Sequence, residues 1–189
     1  MSQKEKDYSL FKKYCEGDDS ALTTLFEENR RPLFAYIYNM CGNYATAEEV
    51  FQETWLKVVK KREYYFNKKG SFKGWVSRIA RNTFIDMSRK KKALLTLDDD
   101  SNDKYVFEPE AHEQKPDEVA VTNETIAIIQ VALNQLTEKQ KEVFVLRMEK
   151  GLTFKEIAAI QDTSVNTVLA RMNYATNKMK EKLEKENLR

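Results

Sequence analysis

Arg78, Arg81, Asn82 and Arg89 fall on one side of the stretch 71–92, SFKGWVSRIARNTFIDMSRKKK, when it is wound at helical spacing. Trp75 lies at the margin of that side, and Lys90, Lys91 and Lys92 prolong it. Guanidinium groups, an amide and an aromatic ring on a common face suit phosphate oxygens and unstacked bases. Phe72, Val76, Ile79, Ala80, Thr83 and Met87 take the opposite side, with the period of about 3.6 that marks an apolar stripe against a core. Taken singly, such a helix fits equally well a solvated basic surface with Trp75 in the core.

A second set of contact residues lies near the C-terminal end. The segment 153–172 fits a helix-turn-helix: Ala158 is small enough for a close helix crossing, and Asp162 and Thr163 form a tight turn into Ser164, a good N-cap. Ile157, Ile160, Val165, Val168, Leu169 and Met172 are expected to pack the motif internally. Asn166, Thr167, Ala170, Arg171, Asn173 and Tyr174 are left outside. Recognition helices reach base edges from their N-terminal residues, which makes Asn166, Thr167, Ala170 and Arg171 the candidates for the major groove. Ala170 suits a thymine methyl and Arg171 a guanine edge, with Lys178 as a phosphate contact. An αα-hairpin with no role on DNA is the alternative reading of this motif.

Bond-breaking chemistry has no foothold. The sequence contains no nucleophile with a base, carboxylate pair in an apolar setting, metal-ligand cluster or glycine-rich phosphate loop, so no enzyme and no cofactor are expected. The single histidine, His112, sits in a polar acidic segment, and Cys15 and Cys41 lie in helical patterns without metal-ligand spacing, as reduced buried thiols would.

The elements that must position these residues are helices. With 189 residues, five Gly and three Pro, a turn-rich β fold is disfavoured. The apolar pattern predicts helices over about 7–15, 20–40, 45–62 and 71–92, with a break at Cys41, Gly42 and Asn43. The loop 63–70, EYYFNKKG, joins the last two and carries Tyr64, Tyr65 and Phe66. Periodicity resumes after about residue 124: Ile126, Ile129, Ala132 and Leu133 mark one helix, and Val143, Phe144, Leu146 and Met148 the next. Capping-box patterns at Thr137 with Gln140 and Thr153 with Glu156 open two of the helices. The expectation is therefore an all-α chain of two small domains, 1–92 and 124–189, the second with four helices, joined by an acidic linker over 93–123.

Charge is segregated along this plan. The net charge of +2 conceals thirteen Lys and Arg against two acids over 54–92, and ten acids against two Lys over 93–124. No apolar run is long enough to span a bilayer and the N-terminus carries no apolar signal segment, so a soluble cytoplasmic protein is expected.

In this order and spacing the motifs resemble the extracytoplasmic-function group of sigma-70 transcription initiation factors. TAEEVFQETWLKVVKK resembles that family's segment for docking on the clamp of core RNA polymerase. FKGWVSRIARNTFIDMSRKKK is similar to its helix for melting and reading the minus-10 box. The stretch from LNQLTEKQKEVF to NKMKEKL resembles its minus-35 domain. The chain departs from the family where a glycine is usual in the turn, here Asp162, and where another is common, here Asn166.

The resemblance implies a promoter-specificity subunit with core RNA polymerase and promoter DNA, duplex and single-stranded, as partners. An anti-sigma factor is the regulatory partner that family members often have. It assigns Glu48, Glu49, Gln52 and Glu53 to the polymerase contact, where plain stabilisation of the helix dipole is the alternative. It assigns Tyr64, Tyr65 and Phe66, together with Trp75, Arg78, Arg81, Asn82 and Arg89, to the opened minus-10 strand, and leaves Asn166, Thr167, Ala170, Arg171 and Lys178 on the minus-35 duplex. Two other functions fit parts of the chain. A helix-turn-helix regulator binding duplex DNA as a dimer leaves the aromatic loop unexplained, and an adaptor binding only protein predicts no salt-dependent DNA affinity.

Overall fold

The structure is a computed structural model that describes residues 3–61, 71–98, 132–133 and 135–187. The chain divides into two units, Met1–Pro109 and Glu110–Arg189, and the regular structure of the described residues is helical, as expected.

The first unit holds α1 (Gln3–Cys15), α2 (Asp19–Cys41), α3 (Tyr44–Lys60) and α4 (Phe72–Asp98). Short-range chemistry sets most of these bounds. Gln3 donates to the Asp7 carboxylate at 2.7 Å, so α1 starts a turn earlier than the apolar pattern suggests. Asp18 caps α2 by accepting from the Ser20 amide at 3.0 Å. At the other end Gly42 takes the left-handed conformation, φ 67°, and its N–H reaches the Tyr38 carbonyl at 2.8 Å. Asn43 follows at once as the cap of α3, accepting from the Thr46 amide at 2.9 Å. Two adjacent residues thus close one helix and open the next. Pro32 lies within α2, where it lacks the N–H that would bond the Glu28 carbonyl.

Packing of α1, α2, α3 and α4 centres on aromatic rings. Phe11 meets Phe72 at 5.5 Å between centroids, Phe72 meets Trp55 at 6.4 Å, and Phe26 stands edge-on to Trp55 at 4.9 Å. Leu25, Leu33, Tyr36, Ile37, Val50 and Val58 complete a fully buried core around them. Cys41 is buried in the same core, and burial pushes its thiol up to about 12.

The apolar stripe of α4 is buried at Phe72, Val76, Ile79, Ala80 and Thr83 and half-buried at Met87. Gly74 and Ser77 are buried as well, Ser77 donating its hydroxyl back to the Lys73 carbonyl at 2.7 Å. The helix runs on through Asp98, past residue 92 where the first domain was expected to end. Ala93, Leu94, Leu95 and Leu97 are strong helix formers, and neither glycine nor proline stops the chain before Pro109.

The second unit holds α5 (Glu138–Met148), α6 (Phe154–Gln161) and α7 (Val165–Asn187). Of the helix predicted before them, Ala132 and Leu133 are described as helical; both pack with Leu136, Ala175 and Met179. Ile126 and Ile129 lie outside the described residues. Both capping boxes form, Thr137 with Gln140 and Thr153 with Glu156. Between α5 and α6 the Arg147 guanidinium donates to the Leu152 carbonyl at 2.9 Å and stacks over the Phe154 ring at 4.9 Å. Ser164 opens α7 by accepting from the Thr167 amide at 3.1 Å.

The turn between α6 and α7 depends on Asp162, held in the left-handed region at φ 52° and ψ 56° with its N–H on the Ala158 carbonyl. It is the only described non-glycine residue with positive φ. Asp162→Gly should therefore raise the unfolding free energy of this unit by about 0.5 to 1 kcal/mol, the left-handed cost of an L residue less glycine's greater unfolded freedom. An increase in the denaturant midpoint of the second unit checks it.

Three apolar expectations need correction. Val165 and Leu169 are exposed, at 40% and 37%, and Met148 is 63% exposed. The face of α7 that is covered runs through Val168, Ala175 and Met179, and the eight-residue α6 does not reach round to 165 and 169. On α5 the buried positions are Val143, Val145 and Leu146.

Candidate nucleic-acid interface

α3 and α4 pack together and place the acidic and basic candidates beside each other. Glu48, Glu49 and Gln52 are exposed on α3. Glu53 is half-buried, 3.9 Å from Lys57, and Lys57 in turn donates to the Thr83 hydroxyl of α4 at 3.1 Å. Between the two helices runs a groove of about 730 Å³. Glu49, Gln52 and Glu53 line it from α3, and Asp86, Arg89 and Lys90 from α4. Lys57 joins the α3 edge, so each edge carries both signs, with acids in excess on α3 and bases on α4.

Along α4, Arg78, Asn82 and Arg89 are exposed and Arg81 is half-buried, so the predicted polar face is present. Trp75 is different. It is half-buried, edge-on to Phe11 at 5.5 Å and tilted against Phe72 at 5.9 Å, so much of its ring belongs to the core. The margin of the helix was the right place for it, but only part of the indole remains for a ligand. Tyr64, Tyr65 and Phe66 lie outside the described residues.

In the second unit Asn166 and Ala170 are exposed near the start of α7. Thr167 is half-buried, its hydroxyl 2.9 Å from that of Ser164. Lys178 is paired with Glu181 at 2.9 Å, which raises its ammonium pKa. Such a surface pair opens at little cost, so the lysine remains available to a phosphate. Arg171 is half-buried and donates Nη1 to the Gln161 carboxamide at 2.6 Å. Gln161 was not among the expected site residues. Its signal was a polar side chain at Ile157 plus four, on the apolar stripe of α6.

Residues 25–94 match the family described as Sigma-70 region 2, and 126–175 match Sigma-70, region 4. The ECF RNA polymerase sigma factor SigE of Mycolicibacterium smegmatis is 28% identical over 89% of this chain, which spans 65% of that relative's length. SigW of Bacillus subtilis, also an ECF RNA polymerase sigma factor, is 28% identical over 91% of this chain and 94% of its own. Among solved structures, the sigma factor RpoE of Bartonella quintana, in complex with the anti-sigma factor NepR, is similar with a TM-score of 0.68 and 23% identity. That match covers 86% of this chain and 96% of the other. CnrH in complex with the cytosolic domain of CnrY is similar at 0.64 and 19%, over 95% and 97%. At those identities the two structures speak for the helical fold.

Proposed function

The chain belongs to the extracytoplasmic-function group of the sigma-70 family, and from that premise we propose that it is a promoter-specificity subunit of RNA polymerase. It acts by binding rather than by bond chemistry. Glu48, Glu49, Gln52 and Glu53 on α3 dock on the core polymerase. The polar face of α4, with Tyr64, Tyr65 and Phe66 that precede it in sequence, takes the opened minus-10 strand. Asn166, Thr167, Ala170 and Arg171 on α7 read the minus-35 duplex, with Lys178 on a phosphate. The exposed Leu169 gives that face an apolar spot for a thymine methyl.

One observation carries this reading: the matches to regions 2 and 4 follow each other in one chain. The acidic stretch between the two matched regions, expected over 93–123, serves as the tether in this reading. No described helix is long and apolar enough to cross a membrane, which fits a partner that works in the cytoplasm. One structural neighbour is in complex with an anti-sigma factor and the other with the cytosolic domain of CnrY, and a regulator that binds the chain in that way completes the proposed set of partners.

Reconstituted transcription from core polymerase on a fragmented genomic library tests the reading. Transcripts that start downstream of a shared pair of boxes, and only when the chain is added, are expected. A free dimer that protects a palindrome without polymerase would sink it.

A further inference from the structure

The Gln161 side chain joins three helices. It is 8% exposed at the end of α6, and its Nε2 donates to the Lys139 carbonyl at 3.0 Å and to the Glu142 carboxylate at 2.7 Å, both on α5. A carbonyl and a carboxylate only accept, so the amide nitrogen must face α5 and Oε1 must face the other way. There Oε1 receives Nη1 of Arg171 from α7 at 2.6 Å. A guanidinium only donates, so every contact around this amide agrees with a single orientation.

We infer that Gln161 is a positioning residue that presents the Arg171 guanidinium to the base edges of the upstream duplex. This rests on the reading of Arg171 as a base contact. An arginine that must be ordered on binding loses rotamer freedom, and one already tied at Nη1 has given up part of it before DNA arrives. The tie uses one of the five guanidinium N–H groups, leaving others for a guanine O6 and N7. The anchor is firm because Gln161 is itself held from α5, while α5 and α6 are joined by the Arg147 contacts.

The test is base preference of the holoenzyme, reconstituted with core polymerase, on a promoter pool with a randomised upstream box. Arg171→Ala should lose about tenfold preference at one or two base pairs, the worth of a bidentate contact. Gln161→Leu should lose about fivefold or more at those same base pairs, spare the others, and add nothing in the Arg171→Ala background. Gln161→Glu alone should behave like Gln161→Leu, since it sets a carboxylate beside Glu142. The double variant Glu142→Gln, Gln161→Glu reverses the polarity of the 142–161 contact, leaving only the Lys139 carbonyl without its donor, and should recover part of the preference lost in Gln161→Glu, which a packing role would not predict.

If Gln161→Leu does not fold, Glu142→Ala at a half-exposed position removes the shorter of the two contacts that hold Gln161 to α5 and should shift the same base pairs in the same direction. An effect of Arg171→Ala with no effect of the foldable Gln161 or Glu142 variants overturns the inference alone. Unchanged preference in Arg171→Ala overturns the base-contact reading and the inference with it. Tighter and equally selective binding by Gln161→Leu would mean that the glutamine holds the arginine back, and would also overturn it.

Discussion

Replacing Phe72 with alanine is expected to destabilise the first unit by about 3 to 5 kcal/mol, the usual cost of deleting a fully buried ring. Phe72 is the first residue of α4 and is 0% exposed. Its ring touches Phe11 of α1, Trp55 of α3 and Trp75 one turn on, so its loss opens a space shared by three helices. A small domain has only about 5 to 15 kcal/mol in all, so the variant should sit near its unfolding threshold at 37 °C. Both tryptophans of the chain pack directly on this ring. Tryptophan fluorescence during denaturant unfolding therefore reports the affected unit, and its midpoint should fall sharply while the helical signal of the second unit keeps its own. A midpoint within the error of the parent would show that the packing of the first unit does not centre on the aromatic rings.

The second large effect concerns charge. Replacing Arg78, Arg81 and Arg89 together by alanine should cut the affinity of the holoenzyme for a single-stranded minus-10 oligonucleotide by about a hundredfold at low salt. It should also flatten the salt dependence. Each phosphate contact on a single strand contributes a slope of about 0.7 in log K against log salt, so three lost contacts should reduce the slope by about 2. Arg78 and Arg89 are exposed and Arg81 half-buried, so the fold should tolerate the change. A fall in affinity with an unaltered slope would place these arginines in the structure rather than on the phosphates.

Much of this was legible in local sequence because it depends on local chemistry. The stripe Phe72, Val76, Ile79, Ala80 and Thr83 is buried as its spacing requires, and both capping boxes close. Asp162 occupies the left-handed turn where a glycine is usual, a tolerance that aspartate owes to its short polar side chain. What escaped is non-local. The Gln161 partners lie 19 and 22 residues upstream and 10 downstream, beyond any helical period. The hold of Phe11 on Trp75 comes from the opposite end of the unit. Periodicity drew the stripe of α7 but not its width, which depends on how far the short α6 reaches, and so Val165 and Leu169 were assigned to the wrong side. The extension of α4 was hidden by composition: the acids that follow Leu97 read as linker, although no residue in 93–98 breaks a helix.

Burial of Cys41 makes that residue a clock. With its thiol pushed up to about 12 by burial, Cys41 carries almost no thiolate at neutral pH, and the surrounding core keeps reagents from it. An alkylating agent therefore reacts through openings of the unit, and its rate follows the population of the open form, or the opening rate itself where alkylation outpaces reclosing. The first unit thus carries its own timer of structural integrity, read from the alkylation of a single buried thiol.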